Sequence, residues 1–215
     1  MKVGTDGTLL GAWARGGQYV LDAGTGTGLI ALMMAQRYPE AQVLGIDIDP
    51  DAVEQAQENV AYSPFASRIS IARQDLRALE GRFDAIVSNP PYFHDSLKSP
   101  DLQRTLARHT SELTYRQLMG AAFRLLDEKG EFSLIIPFDC KSLLEAEATL
   151  AGFFKCRECA VKTTPRKAPR RYLLSFAKHA PACIETTEGV IELQPNLRSQ
   201  WYQELMHEFL NPHRS

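Results

Sequence analysis

The sequence of 215 residues has little of several features that would assign a protein to a class at once. Its four cysteines, Cys140, Cys156, Cys159 and Cys183, are too few and too scattered for a disulfide scaffold. No apolar run is long enough to span a bilayer, and no apolar signal core follows Met1. These absences exclude a disulfide-rich secreted domain and an integral membrane protein. They predict free thiols, no membrane association and a cytoplasmic location.

One pair of cysteines has a spacing that metal and redox sites use. Cys156 and Cys159 form a CxxC sequence, but neither a second CxxC nor a histidine pair accompanies it. The pair also lies in a segment that alternates like a strand. We therefore predict no metal site, with redox or zinc chemistry as the alternative at this spacing.

Charge is balanced over the whole chain but not along it. The formal net charge is −2, whereas residues 155–178 hold eight basic side chains against Glu158 alone, a local charge of +7. The remainder of the chain then carries −9. A basic segment on an acidic body is typical of contact with a polyanion. A solvated strand pair with its connecting loop is the alternative.

Short β-rich runs alternate with helical runs along most of the chain, as in a sheet covered by helices on both faces. The pattern predicts an α/β fold with a mostly parallel, seven-stranded sheet whose last two strands form an antiparallel pair. The predicted strands are residues 19–22, 43–47, 69–71, 83–88, 131–136, 154–161 and 171–177.

The remaining segments complete the predicted organisation. The lack of periodicity predicts a long loop over residues 93–113. The pattern predicts a strand over residues 190–193 and a helix over residues 201–210. We predict one domain over residues 1–178, with residues 179–215 as a strand-plus-helix extension of it.

A glycine-rich loop follows the first predicted strand and leads into a helix. Gly24, Gly26 and Gly28 permit a tight turn and let a ligand approach the backbone closely, and Asp22 precedes them. A dinucleotide-binding fingerprint would place its third glycine at the position of Leu29. The observed spacing favours a methionine-bearing nucleoside over a pyrophosphate.

Two more acids follow the next predicted strands: Asp47 ends the second strand, and Asp75 follows the third. Each alone is better explained as a helix cap, but the carboxyl ends of neighbouring parallel strands meet in one crevice. There Asp47 can accept both ribose hydroxyls and Asp75 an adenine amino hydrogen. Residues 19–137 thus resemble the Rossmann-like class I methyltransferases. This resemblance implies S-adenosylmethionine as cofactor, with Asp22 and Gly24 near its methionine end.

The fourth predicted strand ends in Asn89-Pro90-Pro91-Tyr92. Taken alone, consecutive prolines predict only a rigid turn. After the fourth strand of such a sheet, the four residues resemble the NPPY motif of methyltransferases that act on planar amides and aromatic amines. The resemblance implies that Asn89 and the Pro90 carbonyl accept amine hydrogens while Tyr92 stacks on the base. His94, beside the motif, is expected to be a solvated loop residue.

Residues 1–14, 24–32 and 55–59, together with NPPY, resemble the bacterial tRNA1(Val) adenine-37 N6-methyltransferases over most of residues 1–178. In that family a short segment precedes this opening, whereas this sequence begins at Met1, so no substrate contact is assigned to such a segment. The resemblance implies N6-methylation of adenosine 37 of tRNA1(Val), without an obligate protein partner. It places Lys2, Thr5 and Asp6 at the methionine end of the cofactor. The candidates for contact with tRNA phosphates are Arg166, Lys167, Arg170 and Arg171.

Three other functions fit parts of this pattern. N5-methylation of a glutamine in a protein such as a release factor also uses NPPY, but that family has a helical domain for which the 18 residues before the first strand leave no room. A DNA adenine methyltransferase would add a target-recognition domain. A non-catalytic module that binds cofactor or RNA would be expected to lose either the glycine loop or NPPY, and both are intact.

Overall fold

The structure, a computed structural model, describes residues 4–91 and 113–210. Its main sheet has eight strands: β1 Tyr19–Ala23, β2 Gln42–Asp47, β3 Ile69–Arg73, β4 Phe83–Ser88, β5 Leu126–Pro137, β6 Phe154–Lys162, β7 Arg171–Ala177 and β8 Glu185–Val190. The helices are α1 Thr5–Trp13, α2 Leu29–Arg37, α3 Pro50–Ala61, α4 Tyr115–Leu125, α5 Lys141–Ala151, α6 Gln200–Leu205 and α7 His207–Leu210. Short 3-10 turns lie at Ala66–Arg68 and Phe138–Cys140, and β9 Glu192–Gln194 pairs with β10 Leu197–Arg198.

The strands of the main sheet follow the order β3-β2-β1-β4-β5-β7-β6-β8. Of these eight strands only β7 runs against the others, because it pairs antiparallel with both β5 and β6, while the other pairings are parallel. The predicted fold class is therefore confirmed. The sheet has one strand more than predicted, since β8 pairs with the edge that β6 would otherwise leave open.

Local sequence explains where the helices next to the sheet begin. The side chain of Asp49 accepts a hydrogen bond from the Asp51 backbone and Pro50 follows at the first helical position, so α3 begins there. Thr114 and Gln117 form a capping box at the start of α4. The face of α4 that packs on the sheet is buried and contains Leu118, Ala122 and Leu125.

Hydrophobic side chains cover both faces of the sheet, as the strand pattern requires. Leu21 and Ile86 pack in the cluster beneath α4 and α5, whereas their neighbours Val20, Ala85 and Val87 pack in the cluster beneath α1 and α2. The sheet is thus the middle of three layers. This arrangement brings the carboxyl ends of β1, β2, β3, β4 and β5 to one edge.

The carboxyl-terminal end of α1 is held by a charge network in which Arg157 and Glu131 are largely buried, whereas Arg15 and Glu185 are exposed. The guanidinium of Arg157 lies 4.0 Å from the centre of the Trp13 ring, and its Nη1 donates to Glu131 at 2.8 Å. Arg15 donates to both Glu131 and Glu185, at 3.4 and 3.2 Å. This network joins the first helix to β5, β6 and β8.

The last part of the described chain packs on the body that precedes it. Trp201, Tyr202 and Leu205 of α6 lie against the cluster that covers α1 and α2, and β8 extends the main sheet. The division into a domain over residues 1–178 and an extension over residues 179–215 stays a prediction. No helix in residues 4–91 or 113–210 is long and apolar enough to cross a membrane. The predicted loop at residues 93–113 falls almost entirely outside the described residues.

Candidate active site

The glycine loop lies between β1 and α2, held against the neighbouring strand by its backbone. The N–H groups of Gly24 and Thr25 donate to the carbonyl of Ile46, at 2.9 and 2.8 Å. Gly24 and Gly26 have φ values of +76° and +55°, and a Cβ on either would meet no atom within 4 Å. A Cβ on Gly28 would instead lie 3.3 Å from Ala56 of α3. The first two glycines therefore border open space, and the third permits close packing.

Asp22 lies completely buried beneath this loop. Its Oδ2 accepts hydrogen bonds from Thr25 Oγ1 at 2.7 Å and from the Ala31 backbone at 3.0 Å. Its Oδ1 has no hydrogen-bond partner within the described ranges. Burial raises the pKa of the Asp22 carboxyl to about 6, although the bonds from Thr25 and Ala31 oppose the rise. One oxygen shapes the loop and the other can accept a donor from a ligand.

Asp47 ends β2 and faces the same loop. Its Oδ2 accepts from the Gly26 backbone and its Oδ1 from the Asp49 backbone, both at 3.0 Å. The carboxylate is half-buried and is held in one orientation by these two bonds. Each oxygen retains a second lone pair, so Asp47 can also accept hydroxyl hydrogens beside the loop.

Asp75 follows β3, close to Asp47, because the backbone N–H of Gln74 donates to the Asp47 carbonyl at 3.0 Å. Arg77 donates to both carboxylate oxygens of Asp75, its Nη2 lying 2.6 Å from Oδ2. These bonds from Arg77 hold the pKa of Asp75 below its ordinary value. Asp75 thus already has a cationic partner, and an adenine amino group would have to share it with Arg77.

The motif that follows β4 stands directly beside the glycine loop. Ser88 Oγ donates to the carbonyl of Ala23 at 2.8 Å, which ties the end of β4 to the end of β1. Asn89 Oδ1 is buried and has no partner among the described residues, and Pro90 is buried too. A buried acceptor without a donor is costly unless a ligand supplies one. Tyr92 lies outside the described residues, as does His94.

The first helix contributes one contact to this edge. Asp6, in the first turn of α1, accepts a hydrogen bond from Arg171 Nε at 2.8 Å, and Arg171 begins β7. Thr5 is exposed at the start of the same helix. Lys2 lies outside the described residues. The structure thus brings Asp6 together with one of the predicted phosphate-binding residues.

The basic segment divides into paired and unpaired side chains. Five of its eight members make ion pairs with acids elsewhere in the structure: Lys155, Arg157, Lys162, Arg171 and Lys178. The remaining three, Arg166, Lys167 and Arg170, are exposed and form no ion pair with any residue in the described ranges. The positive charge open to a polyanion therefore lies in the loop between β6 and β7.

Two further features concern the cysteine pair and an exposed apolar residue. Cys156 and Cys159 are free, and burial followed by the charge of Glu131 raises the pKa of Cys156 to about 11. Ile48, which the sequence analysis did not single out, is 51% exposed between Asp47 and Asp49 at the end of β2. Its apolar side chain next to the two acids was the signal in the sequence.

Comparison with known proteins gives consistent results. The family described as "Methyltransferase small domain" matches residues 9–165. The chain is 44% identical over 214 residues to the tRNA1(Val) (adenine(37)-N6)-methyltransferase of Bacteroides thetaiotaomicron, covering 97% of this chain and 90% of that protein. It is 48% identical over 213 residues to the protein of the same name from Phocaeicola vulgatus, with the same coverage. A predicted O-methyltransferase of Agrobacterium tumefaciens shares the fold, with a TM-score of 0.76, 17% identity, and coverage of 94% and 96%.

Proposed function

The chain belongs to the family of tRNA1(Val) (adenine(37)-N6)-methyltransferases, and from this membership we propose that it methylates the N6 amine of adenosine 37 in tRNA1(Val). S-adenosylmethionine is the methyl donor of this family. The observation that carries the proposal is the buried Asn89 Oδ1 beside the glycine loop, which has no hydrogen-bond partner in residues 4–91 or 113–210. It offers an acceptor where an amine must meet a methyl donor.

The residues at this edge fit that cofactor. Open space borders Gly24 and Gly26, and the oriented Asp47 carboxylate can accept ribose hydroxyls. Asp22 Oδ1, which has no partner in the part of the chain that the structure describes, can accept an ammonium hydrogen. Ile48 offers an apolar surface next to Asp47, and Asp75 can accept from the adenine amine. We assign Lys2, Thr5 and Asp6 to the methionine end on the strength of the family match. When bound, the cofactor supplies an electrophilic methyl group on a sulfonium.

The chemistry explains why an asparagine between a strand end and two prolines suits an aromatic amine. The lone pair of adenine N6 is delocalised into the ring, so the amine is a weak nucleophile. Asn89 Oδ1 and the Pro90 carbonyl would each accept one N6 hydrogen, which favours a pyramidal nitrogen with its lone pair directed away from the ring. No strong base is needed, because the nitrogen becomes acidic as the methyl group is transferred. We assign to Tyr92 the stacking that holds the base out of its helix.

The substrate side of the proposal concerns tRNA. Arg166, Lys167 and Arg170 are exposed and form no ion pair with the residues that the structure describes. We assign them, with Arg171, to contacts with phosphates. A tRNA substrate implies action in the cytoplasm.

Transfer of tritium from labelled cofactor tests this proposal. The acceptors would be tRNA1(Val) transcribed in vitro, the same tRNA with adenosine 37 replaced by guanosine, and a peptide release factor. Label in the first RNA alone, recovered as N6-methyladenosine after digestion, is the expected result. Label in the release factor would favour glutamine methylation, and label in none of the three would overturn the proposal.

A further inference from the structure

An open groove of about 580 Å³ lies beside the candidate active site, between the turn after β5 and the loop before β7. We call it the β5–β7 groove and define it by residues 137–139 and 167–171. In the sheet, Ser88 of β4 is level with Leu134 of β5. β5 continues for three residues to Pro137, so the turn that begins at Phe138 lies roughly 10 Å beyond the level of Ser88 and about 5 Å to its side, from the dimensions of paired strands. That separation is on the scale of one or two nucleotides of a single strand.

An exposed aromatic ring forms part of the groove. Phe138 is 57% exposed, but its ring is not isolated: its centroid lies 6.2 Å from that of Tyr172, with the planes tilted by 36°. Lys141 Nζ lies 4.6 Å from the centre of the Tyr172 ring and 3.0 Å from a carboxylate oxygen of Glu158. The ring that backs Phe138 is thus itself held by a charge network. A supported ring loses little further freedom when a flat ligand stacks on it.

The backbone fixes this ring relative to the cationic loop. The N–H of Phe138 donates to the carbonyl of Arg170 at 3.1 Å, and the N–H of Arg170 donates to Val161 at 3.0 Å. Lys167 is also held within the loop, because its N–H donates to Thr164 at 3.1 Å. The aromatic ring and the base of the cationic loop therefore form one preorganised unit.

The charge of the groove favours an anion. Lys167 and Arg170 are exposed and make no ion pair with residues 4–91 or 113–210. Arg171 is engaged with Asp6, and Asp139 is the one acid among the residues that line the groove. A flat apolar surface next to two open cations matches a base linked to its phosphate.

We propose that the β5–β7 groove binds a nucleotide adjacent to the target adenine, with its base on Phe138 and its phosphate at Lys167 and Arg170. This inference rests on the proposed function, because it takes the target to be an adenine in RNA. The target base must leave its stack to reach Asn89. A second stacking site would hold the strand while it does so, and would contribute to the choice of RNA.

A synthetic anticodon stem–loop of tRNA1(Val) provides the test. Its affinity would be measured by fluorescence anisotropy for the wild type and for Phe138→Ala, Phe138→Trp and Leu150→Ala. Leu150 is 72% exposed on α5 and serves as the matched control for removal of an exposed apolar side chain. We expect Phe138→Ala to weaken RNA binding roughly 5- to 150-fold, the range for loss of one base–aromatic stack. Phe138→Trp should restore binding, Leu150→Ala should not affect it, and cofactor affinity should be equal in all four proteins.

The same stem–loop with an abasic site on one or the other side of the target adenine identifies the partner of Phe138. At one of the two positions, the abasic change should weaken wild-type binding but have no further effect on Phe138→Ala. Independent losses at both positions, or wild-type affinity in Phe138→Ala, would overturn the inference. A wild-type enzyme that binds this RNA without methylating adenosine 37 would instead count against the proposed function, while the affinities would still decide the role of the groove.

Discussion

The Nε of Arg171 donates a hydrogen bond to Asp6 Oδ2 across 2.8 Å, and both side chains are more than half-buried. The pair joins the first turn of α1 to the first residue of β7. Asp6 is one of the residues assigned to the cofactor, and Arg171 is one of those assigned to RNA. The two binding functions therefore share a contact that the sequence did not reveal.

We expect Arg171→Ala to weaken the binding of both the cofactor and the RNA. Loss of the ion pair removes one contact that positions the Asp6 carboxylate at the start of α1. A partly buried pair contributes up to about 1 kcal/mol, so cofactor affinity should fall by up to roughly fivefold. Calorimetric titration with cofactor would measure it. Arg170→Ala is the matched control, since Arg170 is adjacent but unpaired within the described residues. Equal cofactor affinity in the two variants would show that the pair is only a surface contact.

The three cations without an ion pair in the described residues, Arg166, Lys167 and Arg170, should affect the binding of RNA but not of the cofactor. Each phosphate contact contributes about 0.7–0.9 to the salt dependence of binding. Combined replacement of Arg166, Lys167 and Arg170 by alanine should therefore lower the slope of log affinity against log salt by roughly 2–3 and leave cofactor affinity unchanged. Affinity for tRNA measured at four salt concentrations gives this slope. Parallel lines for variant and wild type would mean that the loop is a solvated surface.

Asn89→Ala should remove turnover but not cofactor binding. Removing one preorganised hydrogen-bonding group from an active site costs about 10²–10³ in kcat, and Asn89 makes no side-chain contact through Oδ1 that the fold needs within the described ranges. Single-turnover methylation of tRNA and calorimetry with cofactor would be compared. Asn89→Asp keeps an oxygen acceptor but replaces the amide by a carboxylate, so it tests whether the amide is required. Near-normal turnover of the alanine variant would exclude the assigned role.

Asp47→Ala should weaken the cofactor at least tenfold, since hydrogen bonds to a charged group contribute about 1.5–3 kcal/mol each. The structure adds a second cause, because the variant also releases the backbone N–H groups of Gly26 and Asp49. Asp47→Asn keeps an acceptor for one of them and should be intermediate. An unchanged dissociation constant for the alanine variant would contradict the ribose assignment.

Asp22 should make cofactor binding and stability depend on pH in opposite directions. Its folded pKa of about 6 exceeds the ordinary 3.8, so between these values the folded protein binds more protons than the unfolded one. Stability without cofactor should thus fall as pH rises from about 4 to 6, by a total of about 3 kcal/mol. A cationic ligand favours the carboxylate, so its affinity should rise about tenfold from pH 5 to pH 7.

Denaturant unfolding and calorimetry across pH 4.5–7.5 would measure both trends, and Asp22→Asn is the control. The amide has no charge to desolvate, so the variant should lose the opposed slopes. Parallel pH profiles for variant and wild type would show that another group is responsible.

The alternation of strands and helices was enough to predict the sheet, since buried strands and one-sided helices leave periodic patterns such as Val53, Ala56 and Val60. The eighth strand was missed because Glu185 to Glu188 is exposed and polar, as an edge strand can be. At the site, the order of Asp22, Asp47 and Asn89 was readable from motif spacing. The partners Arg77 for Asp75 and Arg171 for Asp6 were not. Side-chain pairing depends on local rotamers and on strand order, which spacing does not encode.

The network around Trp13 has a consequence for how the protein is made. Arg15 and its partner Glu185 are separated by 170 residues. At about 5–20 residues per second, the ribosome needs roughly 10 to 30 s to deliver the second after the first. Until then the end of the first helix lacks the strand that completes its anchorage. Before β8 is made, the nascent chain can hold the first helix through α2, β5 and Arg157 of β6, and the ion pair between Arg15 and Glu185 is a late event of synthesis.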